Sequence, residues 1–304
     1  MRYPEIWFML DFHPVTMADK PRAEKILETS ENMGCEYCFG TLFIWKNVYK
    51  TQIAFHGNML VAKYFTQEGV SYCCPVGEGD FSEMIELIVE DAHKDGNKIV
   101  IGACSLAEKQ KLEELFPGKF TFTADDSKFD YIYKSSDLAS LSGRKYHGKR
   151  NHISAFIKNN PDWSFEEINP ANIGQCAAMN ERWLMLNEYK DEEAISAEHN
   201  ALNVALRYFD ELGFYGGLIR VGREVVAFSF GEKLKDGIFC THFEKAYATV
   251  QGAYPVINRE MALRLCDRYK LINREEDTGA PGLRKAKRSY YPEIWLEKYI
   301  AECD

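Results

Sequence analysis

Opposite charges meet in one short segment near the C-terminal end of the sequence. Residues 272–292, INREEDTGAPGLRKAKRSYYP, place Glu275, Glu276 and Asp277 before a Gly-Ala-Pro-Gly turn and a basic cluster. The basic residues are Arg284, Lys285, Lys287 and Arg288. Carboxylates accept protons or hold cationic groups, whereas Arg and Lys side chains bind phosphate. The segment predicts either a site for a ligand that carries both charges or a surface loop closed by its own ion pairs.

A second basic cluster lies in the middle of the chain, and its residues are Arg144, Lys145, Lys149 and Arg150. Gly143 to Lys149 has the G-x-x-x-x-G-K spacing of a phosphate-binding loop. Arg150, however, takes the place of the Ser or Thr that holds magnesium, and bulky residues fill the loop, which argues against a nucleoside triphosphatase. A basic loop that leads into a helix still attracts phosphate. The alternative is a solvated basic linker.

A third group of candidates occurs where a predicted strand leads through a loop into a helix. His242 and Glu244 are two residues apart on this strand and so share a face. Either residue is a candidate general base if that face lines a cleft, and both are a satisfied polar pair if it packs inward. The loop contains Gly252, and the helix start offers backbone N–H groups to a phosphate or a carbonyl oxygen. Tyr254 and Asn258 are candidate ligand contacts at this joint.

Length and charge set limits on the kind of protein. The chain has 304 residues and a net charge of −9, with a pI of about 5.4. An acidic chain of this size predicts two domains without a broad nucleic-acid-binding surface, but it allows a local basic patch for tRNA. The sequence shows no signal peptide and no apolar run long enough to span a membrane, so we expect a cytoplasmic protein. The oligomeric state is not predictable from these features.

The nine cysteines are odd in number and scattered, which is typical of reduced core thiols rather than a disulfide framework. Cys35 and Cys38 form a Cys-x-x-Cys pair, and Cys73 with Cys74 are the residues that would complete a four-thiolate zinc site. Adjacent strand residues point to opposite faces, so Cys73 and Cys74 do not converge easily on one ion. We therefore predict no metal site.

The two halves of the sequence show the same order of predicted elements. In the first half, TLFIWKN, TQIAFHG and MLVAKYF read as antiparallel strands. A helix with Ser82 as N-cap candidate, a buried strand and a helix with a Ser105–Glu108 capping box follow. In the second half, two helices precede three strands, a helix and the strand YKLIN, and PEIWLEKYIAE is a final strand candidate. The pattern predicts an α+β fold of two duplicated domains, each a mixed, mostly antiparallel sheet flanked by helices.

The predicted domain boundaries follow from this order. Residues 1–142 form the first domain, residues 143–162 are a basic linker with a helix start, and residues 163–304 form the second domain. Two of the three candidate clusters lie in the second domain, which we therefore expect to carry the site.

Four segments together give the sequence a family resemblance. They are FDYIYKSSDLASLSGRKYHGKRNHI, FYGGLIRVGREVVAFSFGEKL, GAYPVINREMA and INREEDTGAPGLRKAKRSYYP. With these segments the chain resembles the bacterial family related to the C-terminal domain of phosphatidylglycerol lysyltransferases. The resemblance implies two tandem acyltransferase folds of the Gcn5-related N-acetyltransferase type. In the lysyltransferases this domain moves an aminoacyl group from a charged tRNA to a lipid hydroxyl.

Two departures from the family change the expectation. The chain lacks a membrane-spanning segment, which puts a lipid acceptor in question. The loop ATVQGAYP lacks the basic, glycine-rich pyrophosphate loop of acetyl-CoA enzymes, which puts acetyl-CoA in question. We predict an acyl or aminoacyl transferase that uses a phosphate-bearing carrier, aminoacyl-tRNA or acyl-CoA, as co-substrate, a hydroxyl or amine acceptor and no covalently bound cofactor. The alternatives are an acetyl-CoA-dependent N-acetyltransferase and a non-catalytic ligand-binding protein.

The family motif, carried across to this sequence, implies site residues at Asn273, Glu275, Asp277, Arg284 and Lys285. With the clusters above, the predicted catalytic residues are Glu244, Glu275 and Asp277. The predicted substrate- or carrier-binding residues are Arg144, Lys145, Lys149, Arg150, His242, Tyr254, Asn258, Asn273, Arg284, Lys285 and Lys287.

Overall fold

The structure, a computed structural model, describes residues 9–66, 68–94, 96–186 and 192–303, with the side chains of residues 192 and 193 left out. Within these residues the chain divides into two compact units. The first comprises residues up to Asp126 together with the segment from Glu297, and the second runs from Ser127 to Leu296. Residues 127–142 thus belong to the second unit, not the first as predicted, and the chain end returns to the first unit.

The strands are β1 (His13–Pro14), β2 (Gln52–His56), β3 (Asn58–Thr66), β4 (Gly69–Cys73), β5 (Val76–Glu78), β6 (Ile99–Cys104), β7 (Thr121–Ala124), β8 (Asp130–Lys134), β9 (Trp163–Glu167), β10 (Tyr215–Val221), β11 (Glu224–Lys235), β12 (Ile238–Ala246), β13 (Leu271–Asn273), β14 (Ile294–Leu296) and β15 (Tyr299–Cys303). The helices are α1 (Lys20–Leu27), α2 (Phe39–Ile44), α3 (Lys46–Tyr49), α4 (Phe81–Lys94), α5 (Leu106–Leu115), α6 (Ser135–Ser140), α7 (His147–Asn159), α8 (Ile173–Met185), α9 (Glu192–Arg207), α10 (Phe209–Leu212), α11 (Ala253–Leu265) and α12 (Pro281–Arg288).

The first unit is built on one sheet with the strand order β1-β2-β3-β4-β6-β15-β7, and β5 pairs with β3. Strands β2, β3 and β4 form an antiparallel meander. Helix α4 then crosses over to β6, which runs parallel to β4. Strand β15 lies between β6 and β7 and is antiparallel to both. A core of aliphatic and aromatic side chains from α4 and these strands is buried against the sheet.

The second unit repeats this plan in a sheet with the order β14-β8-β13-β12-β11-β10-β9. Strands β10, β11 and β12 form the meander, and helix α11 crosses over to β13, which is parallel to β12. Strand β8 lies between β13 and β14, as β15 lies between β6 and β7. The predicted fold, two duplicated α+β domains with mostly antiparallel sheets, is confirmed.

The parallel pair of the second unit separates early, and this separation positions the site. Strand β13 pairs with β12 only where Ile238, Phe239 and Cys240 face Leu271, Ile272 and Asn273. Residues 241–246 of β12 continue beside β11 alone within the described chain. Polar side chains from β12, α11 and the loop after β13 meet beyond this point.

Several local predictions differ from the structure. The predicted strand TLFIWKN is helical, in α2 and α3, because Phe39, Leu42 and Phe43 bury their side chains at helical spacing. Helix α4 is capped by Asp80, whose Oδ1 accepts the N–H groups of residues 82 and 83, rather than by Ser82. The Ser105–Glu108 capping box is confirmed.

At the chain end, the basic segment forms helix α12, with Pro281 as its first residue, rather than a turn followed by a loop. PEIWLEKYIAE forms two strands in different sheets, β14 and β15. No helix among the described residues is long and apolar enough to cross a membrane.

Candidate functional site

Glu244 is the centre of a buried polar cluster at the point where β12 and β13 separate. Its Oε1 receives a hydrogen bond from Nη2 of Arg274 at 2.8 Å, and its Oε2 receives one from Nδ2 of Asn258 at 3.1 Å. Arg274 lies in the loop after β13 and Asn258 lies on α11. Burial opposes the charge of Arg274, but Glu244 together with Tyr133 and Tyr290 outweighs burial, and the pKa of the guanidinium is raised.

Three buried polar atoms around Glu244 have no hydrogen-bond partner among the described residues. They are Oγ of Ser229, Oδ1 of Asn258 and Nη1 of Arg274. Ser229 pairs directly with Glu244 across β11 and β12, so the two side chains share one face of the sheet. A buried polar group without a partner costs about 1–3 kcal/mol, and native proteins keep few of them. The cluster therefore offers two acceptors and one donor to a ligand.

Lys149 brings a second positive charge to this cluster. Its Nζ lies 3.8 Å from the centroid of the Tyr290 ring, and the Arg274 guanidinium lies 5.0 Å from the same ring. Burial and the neighbouring Arg274 lower the pKa of Lys149 to about 8, and Glu244 offsets only part of this shift. Two cations thus share one carboxylate, which favours an anionic or strongly polarised ligand group.

His242, on the same strand as Glu244, is held between two carboxylates. Its Nε2 donates to Oε1 of Glu232 at 2.9 Å and its Nδ1 donates to Oε1 of Glu275 at 2.8 Å, and the side chain is only 1% exposed. Burial disfavours the imidazolium, but Cys240 and the two carboxylates outweigh burial and the pKa of His242 lies well above its ordinary value. His242 is thus a structural cation that fixes Glu275.

Glu275 and Lys287 hold the backbone that presents Arg274. Glu275 adopts a left-handed conformation with φ 58°, and its N–H donates to Oδ1 of Asn273 at 2.7 Å. Nζ of Lys287 donates to the carbonyl oxygens of Arg274 at 2.6 Å, Glu275 at 3.2 Å and Glu276. Burial lowers the pKa of Lys287. This lysine therefore stabilises the loop instead of facing a ligand.

Asp277 and Arg284 pair with each other, seven residues apart. Nε and Nη2 of Arg284 donate to the Asp277 carboxylate at 2.8 and 3.1 Å, and Tyr131 donates its hydroxyl at 2.7 Å. Asp277 is fully buried, and the donors from Arg284 and Tyr131 lower its pKa against the opposing effect of burial. This geometry favours the predicted ion-pair loop over a ligand site formed by these two residues.

The remaining predicted residues lie apart from Glu244 or make structural contacts. Nη1 of Arg150 donates to the carbonyl oxygens of Leu141 and Gly143. Asn273 is buried and donates to Asp130. Tyr254, the second residue of α11, is 36% exposed. Three exposed cations complete the set: Arg144, Lys145 and Lys285.

The predicted residues that come together at Glu244 are Lys149, Asn258 and Glu244 itself. Sequence reasoning missed Arg274, Ser229 and Tyr290. Arg274 lies inside the family motif, between two predicted residues and directly after a buried strand. This position was the signal that could have identified it from the sequence. Ser229 is a lone hydroxyl in the apolar strand run VVAFSF. Only the pairing register of β11 and β12 places it next to Glu244.

The start of α11 also bears on the choice of carrier. Gly252 is the N-cap with φ 86°, and a Cβ there would lie 2.4 Å from the His152 carbonyl oxygen and 2.9 Å from Cβ of Phe156. This glycine therefore allows α7 to pack against the loop, which is a structural reason for its presence. It gives no separate support to a pyrophosphate site.

Comparisons with known proteins agree with this architecture. The family model described as phosphatidylglycerol lysyltransferase, C-terminal, matches residues 27–302. A conserved protein of unknown function from Bacteroides thetaiotaomicron has a similar crystal structure, with a TM-score of 0.94 and 38% identity over 97% of this chain and 100% of that one.

A more distant structure shares the fold. The C-terminal domain of a putative lysylphosphatidylglycerol synthetase from Agrobacterium fabrum has a TM-score of 0.69 and 14% identity, over 95% of this chain and 93% of that domain. An uncharacterised protein of Mycoplasmoides gallisepticum is 23% identical over 192 residues, 58% of this chain. This match spans 57% of that protein's length, somewhat more than half.

Proposed function

The chain belongs to the phosphatidylglycerol lysyltransferase C-terminal family, and we propose that it transfers an aminoacyl group from a phosphate-bearing carrier, aminoacyl-tRNA, to a hydroxyl or amine acceptor at the Glu244 cluster. One observation carries the proposal most strongly. Around Glu244, two buried acceptors and one buried donor have no partner among the described residues, and two cations share one carboxylate. This arrangement complements an aminoacyl ester, which has an ammonium group beside a polarised carbonyl group.

The acceptors suit the ammonium group. Each oxygen of Glu244 accepts one hydrogen bond, from Arg274 or Asn258, so the carboxylate retains acceptor capacity. Oγ of Ser229 and Oδ1 of Asn258 add neutral acceptors on the same side of the sheet. An α-ammonium group has three donors. Glu244, Ser229 and Asn258 would orient the aminoacyl group through those donors.

The cations suit the other end of the ester. When an acceptor attacks the carbonyl carbon, the carbonyl oxygen becomes negative, and fixed donors beside it lower the barrier. Nη1 of Arg274 is a buried N–H group held in place by the backbone contacts of Lys287. Lys149 supplies a second charge at the half-exposed side of the cluster. We assign the carbonyl oxygen to Arg274 and the nearest phosphate of the carrier to Lys149.

A transfer assay tests this function. Total tRNA charged with carbon-14-labelled amino acids is incubated with the protein and either phosphatidylglycerol vesicles or a peptide with a free amino terminus. We expect the label to leave the tRNA and enter one of the two acceptors faster with the protein than without it. The matched controls are Arg274→Met within the cluster and Lys285→Ala outside it, and only the first should lose transfer.

The same assay with acetyl-CoA addresses the enzyme alternative. If acetyl-CoA donates to the peptide and charged tRNA donates to neither acceptor, the proposal is wrong and the protein is an N-acetyltransferase. Absence of transfer from both donors, with intact folding, contradicts an enzymatic role and favours ligand binding.

A further inference from the structure

Lys149 has the surroundings of a reactive amine. It is the third residue of α7, in the first turn, where the helix backbone carries partial positive charge. Its Nζ lies over the Tyr290 ring at 3.8 Å, and the side chain is half-buried. The helix end and the partial burial disfavour the ammonium form relative to a lysine in water, whereas the face of the Tyr290 ring stabilises it.

The charged groups that face Lys149 come from three neighbouring segments. Arg274 faces it from the loop after β13, Glu244 from β12, and the neutral Tyr290 from the residues after α12. Glu244 is already bound to Arg274 and Asn258, and among the described residues no carboxylate forms an ion pair with Lys149. The local charge is therefore positive, which weakens the hold of Nζ on its proton and attracts anions.

Arg274 supplies the second observation that points to a ligand here. Its Nη1 is buried and has no partner among the described residues, although its Nη2 is paired with Glu244. An oxygen of an anionic group would satisfy this N–H group, and Lys149 is close enough to Arg274 for the two charges to repel each other, so the same anion would be attracted by both. A carrier anion would thus be bound next to a lysine that is partly neutral at neutral pH.

We propose that Lys149 is an acylation site, at which Nζ takes an acyl group from an acyl phosphate whose phosphate is bound by Arg274. The lone pair of neutral Nζ attacks the carbonyl carbon and forms the C–N bond of an amide. The bond between that carbon and the phosphate oxygen breaks, its electron pair leaves with inorganic phosphate, and one amine proton ends on the phosphate. No oxidant or further reactant is needed.

Acylation would change the site that carries the reaction. An amide at Nζ removes the cation that the proposed transferase uses for the carrier phosphate and leaves Arg274 as the remaining charge over Tyr290. Carrier binding should therefore weaken after acylation. This inference extends the proposed transferase but does not depend on it, because an acyl phosphate reacts with Lys149 in the absence of tRNA.

The test is labelling of the intact protein with acetyl phosphate, followed by peptide mapping in a mass spectrometer. Lys145, exposed and four residues earlier, is the internal control. At pH 8 roughly half of the Lys149 side chains are neutral, whereas about one in 250 ordinary lysine side chains is neutral. We therefore expect acetyl phosphate to label Lys149 at least about tenfold faster than Lys145. The rate at Lys149 should rise between pH 7 and 9, and excess inorganic phosphate should slow it.

Two further arms separate the amine from the anion site. The neutral reagent N-hydroxysuccinimidyl acetate should label Lys149 without protection by phosphate, whereas Arg274→Met should abolish the preference for Lys149 with acetyl phosphate. Circular dichroism shows whether Arg274→Met folds. If it does not fold, protection of the wild type by phosphate still tests the anion site. Equal labelling of Lys149 and Lys145 by acetyl phosphate, or labelling that phosphate does not slow, overturns the proposal whatever the transfer assay shows.

Discussion

Each unit places a parallel strand pair at the equivalent point of its own sheet, yet the two units fill the space beyond this pair differently. In the first unit, Ala103 near the end of β6 has φ 56°, and in the second unit Glu275, two residues after β13, has φ 58°. The first unit closes the gap with Tyr37, next to the Glu36–Lys298 ion pair. The Tyr37 hydroxyl lies 3.3 and 3.1 Å from the carbonyl oxygens of Cys74 and Ala103, which serve as its acceptors.

The second unit fills the equivalent space with charges. Glu244, Arg274 and Lys149 lie beyond its parallel strand pair, and buried polar atoms there lack partners among the described residues. A closed junction stabilises a sheet, whereas an open one costs stability and is retained where a ligand completes it. The duplicated fold thus supplies two equivalent junctions, and chemistry is expected at the second.

The largest effect should come from His242, which holds the charged junction in shape. His242→Asn leaves Glu232 and Glu275 buried without their cation, and removing one partner of a buried ion pair costs about 3–5 kcal/mol. We expect the free energy of unfolding in urea to fall by this amount. His199→Asn is the control, because His199 is 27% exposed, and a loss there as large as at His242 would contradict the special role of the clamp.

The next effect should distinguish the two junctions by their influence on the transfer rate. Glu244→Gln keeps the shape of the side chain but removes the charge that would hold an ammonium group. We expect transfer from charged tRNA to fall by about 100-fold, the scale seen when a fixed electrostatic contact at a reacting group is lost. Tyr37→Phe in the first unit should leave the rate unchanged. Equal losses in both variants would show that the junctions are not functionally distinct.

Arg284 tests whether the acidic and basic clusters of the C-terminal segment bind a ligand or each other. Arg284→Ala leaves the buried Asp277 without its ion-pair partner, and we expect a loss of about 2 kcal/mol in unfolding free energy. Lys285→Ala, on the exposed side of the same helix, should change stability by less than about 0.5 kcal/mol. If Arg284→Ala melts like the wild type but weakens tRNA binding, the ion pair is not structural.

A smaller effect is expected at the closed junction. Tyr37→Phe removes a hydroxyl donor from two carbonyl acceptors, and the loss of one such hydrogen bond costs about 1 kcal/mol. Thermal unfolding measures it. A stability unchanged within error would mean that the carbonyl groups find other donors and that the junction is less closed than the contacts indicate.

The last effect is a pH dependence at Lys149. Its folded-state pKa of about 8 lies below that of an unfolded lysine, so the unfolded chain binds more protons between the two values and stability rises with pH across that interval. Below pH 8 the charged lysine destabilises the fold. Lys149→Met should therefore melt slightly higher than the wild type at pH 7, and the gap should close between pH 8 and 10.

Much of the fold could be predicted because its signals are local. Alternating apolar residues and the Ser105–Glu108 capping box gave the meanders and helices, and the repeated order gave the duplication. TLFIWKN failed because burial in the first unit overrides strand propensity. Helix α12 was missed because Pro281 and Gly282 resemble a turn, although proline also begins helices.

The site could be predicted only by residue type. Asp277 and Arg284 are seven residues apart and satisfy each other, a pairing that the sequence left open. Glu244 and Arg274 are thirty residues apart, and Lys149 meets Tyr290 only after the chain has crossed most of the second unit. Such contacts depend on strand register and helix packing, which no local pattern encodes.

The central claim, that the Glu244 junction recognises an aminoacyl group on tRNA, has one direct test. The measurement is the equilibrium affinity of the wild type and Glu244→Gln for a tRNA with an amide-linked, non-hydrolysable aminoacyl group, against the same tRNA uncharged. We predict that the charged tRNA binds the wild type at least about tenfold tighter, about 1.4 kcal/mol, and that Glu244→Gln removes this difference. Equal affinities for the two tRNAs, or a difference that Glu244→Gln leaves intact, would contradict the claim.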